Sequence, residues 1–163
     1  VGACAGRATW TLSKNAPWFS KIYAIDTWAD KNVFYGVGFN LEPEKQSTRE
    51  YFLEQVHDRK NIIPIQEDAS QVSIDFKIDF LFIDSDMGRG RNNNWPIWEN
   101  LAPCLKKGAL VVGANYLPES RPDEVLFADE MANKLGNLTH EHGIWWSFYN
   151  TPNEIKKRET REH

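Results

Sequence analysis

The sequence predicts an α/β fold: a Rossmann-like, doubly wound, mostly parallel sheet with helices on both faces and an antiparallel hairpin at its C-terminal end. First, apolar runs and helix-like segments alternate along the chain, which is the pattern of repeated βα units. Second, the strand-like runs are continuously apolar, as in parallel strands that are covered on both faces. Third, the runs 138–142 and 144–150 follow one another across Gly143 without a helix between them, which predicts the hairpin.

The length and composition predict one globular domain. The chain has 163 residues, of which 41% are hydrophobic and 26% are charged, and its net charge is -4. We expect a single domain over residues 1–150 and a charged tail over 151–163. The negative charge argues against a nucleic-acid partner, because such proteins present basic surfaces to phosphates. No apolar run has the length of a membrane span and no signal peptide is visible, so we expect no membrane partner and a cytoplasmic location.

The first 26 residues have the order of a nucleotide-binding βαβ unit. Gly2 and Gly6 allow a tight turn and a close approach to a ligand, because neither carries a Cβ atom. A helix predicted over 7–14 would point its N-terminal N–H groups toward the same place. The apolar strand 21–26 then ends in Asp26, whose carboxylate can accept hydrogen bonds from a ribose diol.

The following segment contains one loop, one helix and one strand. Residues 27–46 show no regular period and predict a long loop. Ser47 and Glu50 have the spacing of a capping box, which predicts the start of a helix. The strand over 61–65 carries Pro64, which cannot donate to a ladder and therefore favours a sheet edge.

The second half begins with a strand over 78–84, which is strongly apolar and is predicted to be the most buried. We expect Asn94 to cap a helix with Pro96 in its first turn, and Gly108 to end that helix. The remaining elements are a strand over 109–114 and a helix over 122–135.

Five segments in this order resemble the motifs of class I S-adenosylmethionine-dependent methyltransferases. They are 2–6 (GACAG), 24–26 (AID), 68–70 (DAS), 82–86 (FIDSD) and 107–112 (KGALVV). The resemblance covers nearly the whole chain, and a terminal antiparallel hairpin separates that family from nicotinamide-binding relatives. Over residues 84–116 the chain is most similar to small-molecule O-methyltransferases.

The resemblance implies S-adenosylmethionine as cofactor, a small-molecule hydroxyl as acceptor, and a role for each motif. The glycine turn would approach the methionine and ribose, the acid at the end of the second motif would hold the ribose hydroxyls, and the third motif would meet the adenine. Asp84 is the implied catalytic residue, near the methyl-bearing sulfonium. The implied cofactor-binding residues are Gly2, Ala3, Gly6, Asp26, Thr27, Asp68, Ala69, Asp84 and Ser85.

Some members of the family place a divalent cation between the ends of two adjacent strands. The resemblance offers Asp84, Asp86 and Asn115 as ligands for Mg²⁺. Ala114 stands where the metal-dependent members usually carry a second acid, and Met87 stands where several carry histidine. Metal dependence is therefore left open.

The resemblance also implies that the first strand, which is central in that fold, is largely missing. An acid normally stands two residues before the first glycine, and this position precedes Val1. Two alternatives follow. One is a non-catalytic remnant, truncated or degenerate, that folds as a homodimer and binds cofactor weakly or not at all, and the other is an NAD-dependent oxidoreductase, which Asp26 would also suit. His57, His140 and His142 are weaker candidates than Asp84 for the catalytic base.

Overall fold

The computed structural model describes residues 1–29, 47–84 and 91–150, with only the backbone described at 91–93. The helices are α1 (Arg7–Asn15), α2 (Thr48–Val56), α3 (Arg91–Leu101) and α4 (Pro122–Leu135), and a short 3₁₀ helix spans Ala102–Cys104. The strands are β1 (Ile22–Asp26), β2 (Ile62–Gln66), β3 (Ile78–Ile83), β4 (Leu105–Gly113), β5 (Thr139–Glu141) and β6 (Ile144–Phe148). The α/β architecture is as predicted. Most of the predicted loop 27–46 and the predicted tail 151–163 lie outside the described residues.

The chain divides into two compact units, residues 1–69 and 70–163. Strand pairing follows the same division, since β1 pairs with β2 while the second unit forms a sheet in the order β3-β4-β6-β5. No helix in the described residues is long and apolar enough to cross a membrane. The single domain expected over 1–150 stays a prediction.

The first unit packs α1 and α2 on the parallel pair β1–β2. Its register runs from Ile22 opposite Ile62 to Asp26 opposite Gln66. Ser47 and Glu50 form the predicted capping box, because each side chain accepts from the backbone N–H of the other residue. The buried cluster of this unit consists of Ala3, Ala24, Trp28, Phe52, Val56 and Ile62.

The second unit contains a parallel pair, β3–β4, followed by the predicted hairpin. Strand β6 is antiparallel to both β4 and β5. Only His142 and Gly143 separate β5 from β6, and both have positive φ angles, of 50° and 78°. That combination is the backbone of a two-residue hairpin turn whose twist matches its strands.

Two boundary predictions in the second unit are wrong. Helix α3 spans Arg91–Leu101 and has Pro96 in its interior. It tolerates the proline because Ile97, Trp98 and Leu101 bury one apolar face at helical spacing. Gly108 lies inside β4 and does not end a helix. The helical path has already ended upstream, at the 3₁₀ turn that contains Pro103.

The prediction that the 78–84 strand would be the most buried is also wrong. Its burial is confined to Leu81 and Ile83, while Phe80 is 41% exposed. Within the described residues β3 pairs with β4 alone. The apolar composition of β3 predicted its burial correctly only near its C-terminal end, which leads to Asp84.

Candidate functional site

The N-terminal turn, residues 2–6, leads directly into α1. Gly2, Cys4 and Gly6 have positive φ angles of 75°, 43° and 91°. Glycine adopts such angles without strain, so the two glycines favour this turn, whereas Cys4 takes its positive φ as a non-glycine residue. The Gly2 N–H donates to the Ile25 carbonyl at 2.9 Å, which ties the start of the turn to β1.

Asp26 lies at the carboxyl end of β1, in direct contact with this turn. The Cys4 N–H donates to Oδ2 of Asp26 at 2.9 Å, and the Trp28 N–H donates to Oδ1 at 2.7 Å. Each carboxylate oxygen therefore accepts one backbone hydrogen bond and keeps a second lone pair for another donor. The glycine turn and the strand-end acid, which lie far apart in sequence, form one local structure.

Trp28 completes this structure, and the sequence analysis had assigned it no role. Its indole Nε1–H donates to the Cys4 carbonyl at 2.9 Å, and its ring centroid lies 5.0 Å from that of Phe52. The side chain is only 8% exposed. Trp28 thus holds the turn against the core from one side while Asp26 holds it from the other. The spacing Asp-x-Trp gave a partial signal, because an aspartate often accepts from the N–H two residues on.

Gly6 has a packing role that the motif alone did not reveal. A Cβ atom at this position would lie 2.9 Å from Cδ2 of Phe52 and 3.3 Å from Cγ1 of Val56. Both of those side chains are buried on α2. The glycine therefore allows the start of α1 to approach α2 closely. Next to it, a cleft of about 330 Å³ is lined by Ala5, Gly6, Arg7, Trp10, Tyr51 and Gln55.

The other predicted cofactor residues of the first unit follow the ends of its strands. Thr27 succeeds Asp26, and its carbonyl accepts from Nε2 of Gln66 at 3.3 Å. Asp68 is exposed and Ala69 is buried in the turn that follows β2. Because β1 and β2 are parallel and in register, their carboxyl ends lie at one edge of the sheet. Ala3 is buried in the core cluster beneath the turn.

In the second unit, Asp84 directly follows β3, and Asn115 lies two residues after the end of the adjacent parallel strand β4. The Asn115 Nδ2 group donates to Oδ1 of Asp84 at 3.2 Å, and the Asn115 backbone has a left-handed φ of 65°. Burial raises the pKa of the Asp84 carboxyl, and the Asn115 hydrogen bond and the Arg121 charge partly oppose that rise. A carboxylate with a raised pKa is a better proton acceptor than an exposed one.

The structure brings together two of the three predicted metal ligands. Asp84 and Asn115 are in contact, whereas Asp86, like the predicted cofactor residue Ser85, lies outside the described residues. Asn115 turns its amide nitrogen toward the carboxylate, and cations are bound by amide oxygen. In the described part of the chain, no three His, Cys, Asp or Glu side chains are grouped so that they could hold a metal ion.

The three histidines considered as bases lie on helix-end and hairpin surfaces. His57 is the exposed C-cap of α2, with Nδ1 2.6 Å from the Glu54 carbonyl oxygen. His140 stacks on the Tyr116 ring at 4.3 Å, and His142 is exposed in the hairpin turn. Asp84, half-buried at a strand end, remains the stronger candidate for a proton acceptor.

This architecture is the fold of class I S-adenosylmethionine-dependent methyltransferases. Among similar solved structures, CalS11, a calicheamicin methyltransferase, has a TM-score of 0.61 at 14% identity over 91% of this chain and 70% of its own. A SAM-dependent methyltransferase from Aquifex aeolicus has a TM-score of 0.57 at 19% identity over 90% and 77%. The O-methyltransferase NovP has a TM-score of 0.55 at 13% identity over 80% of this chain, and the chain spans 60% of NovP. These identities establish the fold alone.

One further structural match is to a protein complex. The fibrillarin/Nop5p complex has a TM-score of 0.55 at 20% identity over 91% of this chain. By sequence, no family model matches the chain, and no curated protein matches it significantly.

Proposed function

We propose that this chain is an S-adenosylmethionine-dependent methyltransferase domain that methylates a hydroxyl group of a small molecule in the cytoplasm. The observation that carries the proposal is the pair of hydrogen bonds from the Cys4 and Trp28 N–H groups to Asp26. They fix a strand-end carboxylate beside a glycine turn, which is the arrangement that binds an adenosyl ribose in doubly wound folds.

The residues of the first unit fit this cofactor. Asp26 keeps one lone pair on each oxygen for a ribose hydroxyl, since its other lone pairs accept from the backbone. Gly2 and Ala3 present backbone without a bulky side chain to the methionine part, and Asp68 with Ala69 would meet the adenine edge. When bound, S-adenosylmethionine supplies an electrophilic methyl group.

In the second unit we assign Asp84 as the proton acceptor for the hydroxyl. Methyl transfer to oxygen requires alignment of the donor with the acceptor and removal of one proton, which a positioned base accelerates by about 10²- to 10⁴-fold. The hydrogen bond from Asn115 fixes one oxygen of Asp84, and the other oxygen would take the proton. This mechanism requires no cation.

A small-molecule acceptor is favoured by the likeness to structures described as NovP O-methyltransferase and calicheamicin methyltransferase. The fibrillarin/Nop5p match keeps a macromolecular acceptor as the alternative. The net charge of -4 favours the small molecule, because an RNA-binding surface is ordinarily basic.

Calorimetric titration with S-adenosylhomocysteine tests the cofactor assignment. We expect saturable binding by the wild type and at least tenfold weaker binding by Asp26→Ala, since losing a hydrogen bond to a charged group costs about 1.5–3 kcal/mol. The matched control is Asp58→Ala, which removes the same charge from an exposed site in the same unit. Its affinity should equal that of the wild type.

Two results would contradict the proposal. Binding of NAD without binding of S-adenosylhomocysteine would assign the cradle to an oxidoreductase. Unchanged affinity in a folded Asp26→Ala variant would remove the ribose role from this residue. Circular dichroism of each variant at the titration temperature establishes that the comparison is made between folded proteins.

A further inference from the structure

The loop between α1 and β1 carries two large apolar side chains into solvent. Trp18 is 91% exposed and Phe19 is 70% exposed. The Ser20 N–H donates to the Pro17 carbonyl at 2.9 Å, so the two aromatic residues occupy the central positions of a closed turn. Their rings meet edge to face at 5.8 Å. We call Trp18 and Phe19 the aromatic tip.

The residue types in this turn are not the ones that turn formation selects. Central turn positions favour glycine, proline, asparagine and aspartate, which satisfy the backbone or its angles. A tryptophan and a phenylalanine neither hydrogen-bond the turn backbone nor favour its angles, and here most of their large apolar surfaces lie in water. This choice indicates that the tip contacts an apolar phase outside the first unit.

Basic residues flank the tip in the sequence. Lys14 lies in the last turn of α1, and Lys21 directly precedes β1. The connection from α2 to β2 reaches the same end of the unit, because Asn61 accepts from the Ser13 hydroxyl at 2.6 Å and from the Ile22 N–H at 2.9 Å.

That connection adds two cations and one acid. They are Arg59, Lys60 and Asp58, of which Asp58 lies 3.5 Å from Arg59. Among the described residues, the last turns of α1 and α2 and the two connections that follow them contain four cations and two acids, Asp58 and Glu54, whereas the whole chain has a net charge of -4. The local charge is opposite in sign to that of the whole chain, and it would attract an anionic surface.

We propose that the aromatic tip docks this protein on an anionic lipid surface. Two aromatic side chains on a projecting turn can enter the interfacial layer, where tryptophan and other amphipathic rings are favoured, and flanking lysines then meet the lipid head groups. A protein partner would instead have to supply a pocket that receives the two aromatic rings.

The position of the tip is compatible with cofactor binding. Strand β1 begins beside the tip at Ile22 and ends at Asp26, which places the lipid contact and the candidate cofactor residues at opposite ends of one strand. Docking would leave the Asp26 end facing away from the lipid. It requires no membrane span, so it changes the expectation of no membrane partner only for the surface of the bilayer.

Vesicle flotation with the whole chain tests the proposal. The probes are phosphatidylcholine vesicles with and without about 30% phosphatidylserine, a composition that gives an anionic surface. We expect flotation with the anionic vesicles alone, weakened by about 0.5 M salt because screening shortens the electrostatic attraction. The double variant Trp18→Ser/Phe19→Ser should bind at least about tenfold more weakly, since both anchors are lost.

The matched control removes two exposed apolar side chains from the other unit. Leu126 is 52% exposed and Phe148 is 57% exposed, so Leu126→Ser/Phe148→Ser should bind like the wild type. The charge variant Lys21→Glu/Lys60→Glu should lose binding to anionic vesicles while its melting temperature stays near that of the wild type, because both side chains are exposed, whereas Lys14 and Arg59 lie over the Trp10 ring.

Three results would overturn the proposal. The wild type could fail to float with anionic vesicles, or the aromatic double variant could float as well as the wild type. The third is a dimer, seen by light scattering, that the aromatic variant dissociates while neither protein binds vesicles, which would assign the tip to a second copy of the chain. None of these measurements involves the cofactor, so their failure is separate from a failure of the methyltransferase proposal.

Discussion

Substituting Gly6 by alanine tests whether the N-terminal turn is held by close packing of α1 on α2. Two costs add in this variant. Alanine at a φ of 91° pays about 1–2 kcal/mol for a left-handed backbone. Its Cβ atom would also lie 2.9 Å from the ring of Phe52, which is fully buried. Such overpacking costs about 1–3 kcal/mol.

Gly136 provides the matched control. Its φ is 93°, and a Cβ atom there would have no neighbour within 4 Å. Gly136→Ala therefore pays the backbone cost alone, and the entropy that either substitution removes from the unfolded chain is the same. We expect losses in the free energy of unfolding of about 2–5 kcal/mol for Gly6→Ala and about 1–2 kcal/mol for Gly136→Ala. Urea titrations followed by circular dichroism measure both, and losses that agree within about 0.5 kcal/mol would refute the packing role.

Three further predictions concern the candidate site. Trp28→Phe removes the indole donor to the Cys4 carbonyl, so we expect a loss of about 1–2 kcal/mol in stability and weaker S-adenosylhomocysteine binding, and an unchanged melting temperature would contradict the anchoring role. Because burial raises the pKa of Asp84, its ionisation costs free energy in the folded state, and Asp84→Asn should be more stable than the wild type at pH 7. This difference in stability should vanish as the pH falls through the raised pKa to below 3.8, where the carboxyl is protonated in both the folded and the unfolded state. A pH-independent difference would show that ionisation is not its cause. Methyl transfer should persist after chelation of metal ions by EDTA, since Asp84 and Asn115 are hydrogen-bonded to one another. Activity that is lost with EDTA and restored by Mg²⁺ would instead show that the reaction requires a cation.

Local signals in the sequence predicted local structure well. The capping box at Ser47 depends on two side chains three residues apart, and the structure contains it. The hairpin turn at Gly143 and helix α4 are likewise specified by nearby residues. Asp26 was found because a strand-end acid is visible as the last residue of an apolar run.

The errors occurred where distant packing overrides local preference. Pro96 favours a helix start, but α3 already includes the residues before it, among which Asn94 is buried. The role of Trp28 depends on the carbonyl of Cys4 and the ring of Phe52, both remote in sequence. The spacing Asp26-x-Trp28 predicts only the hydrogen bond from the Trp28 N–H to Asp26, and it does not predict the contacts of the indole ring.

The glycine turn and Asp26 together form the proposed binding site for an adenosyl group. A titration of ¹⁵N-labelled protein with S-adenosylhomocysteine, followed by amide chemical shifts, tests it directly. We expect saturable shifts of the Gly2, Cys4 and Trp28 amides and of the Trp28 indole, with the Lys21 amide unchanged at the other end of β1. Saturable shifts that leave the Cys4 and Trp28 amides unmoved, or no shifts with this ligand and clear shifts with NAD, would contradict it.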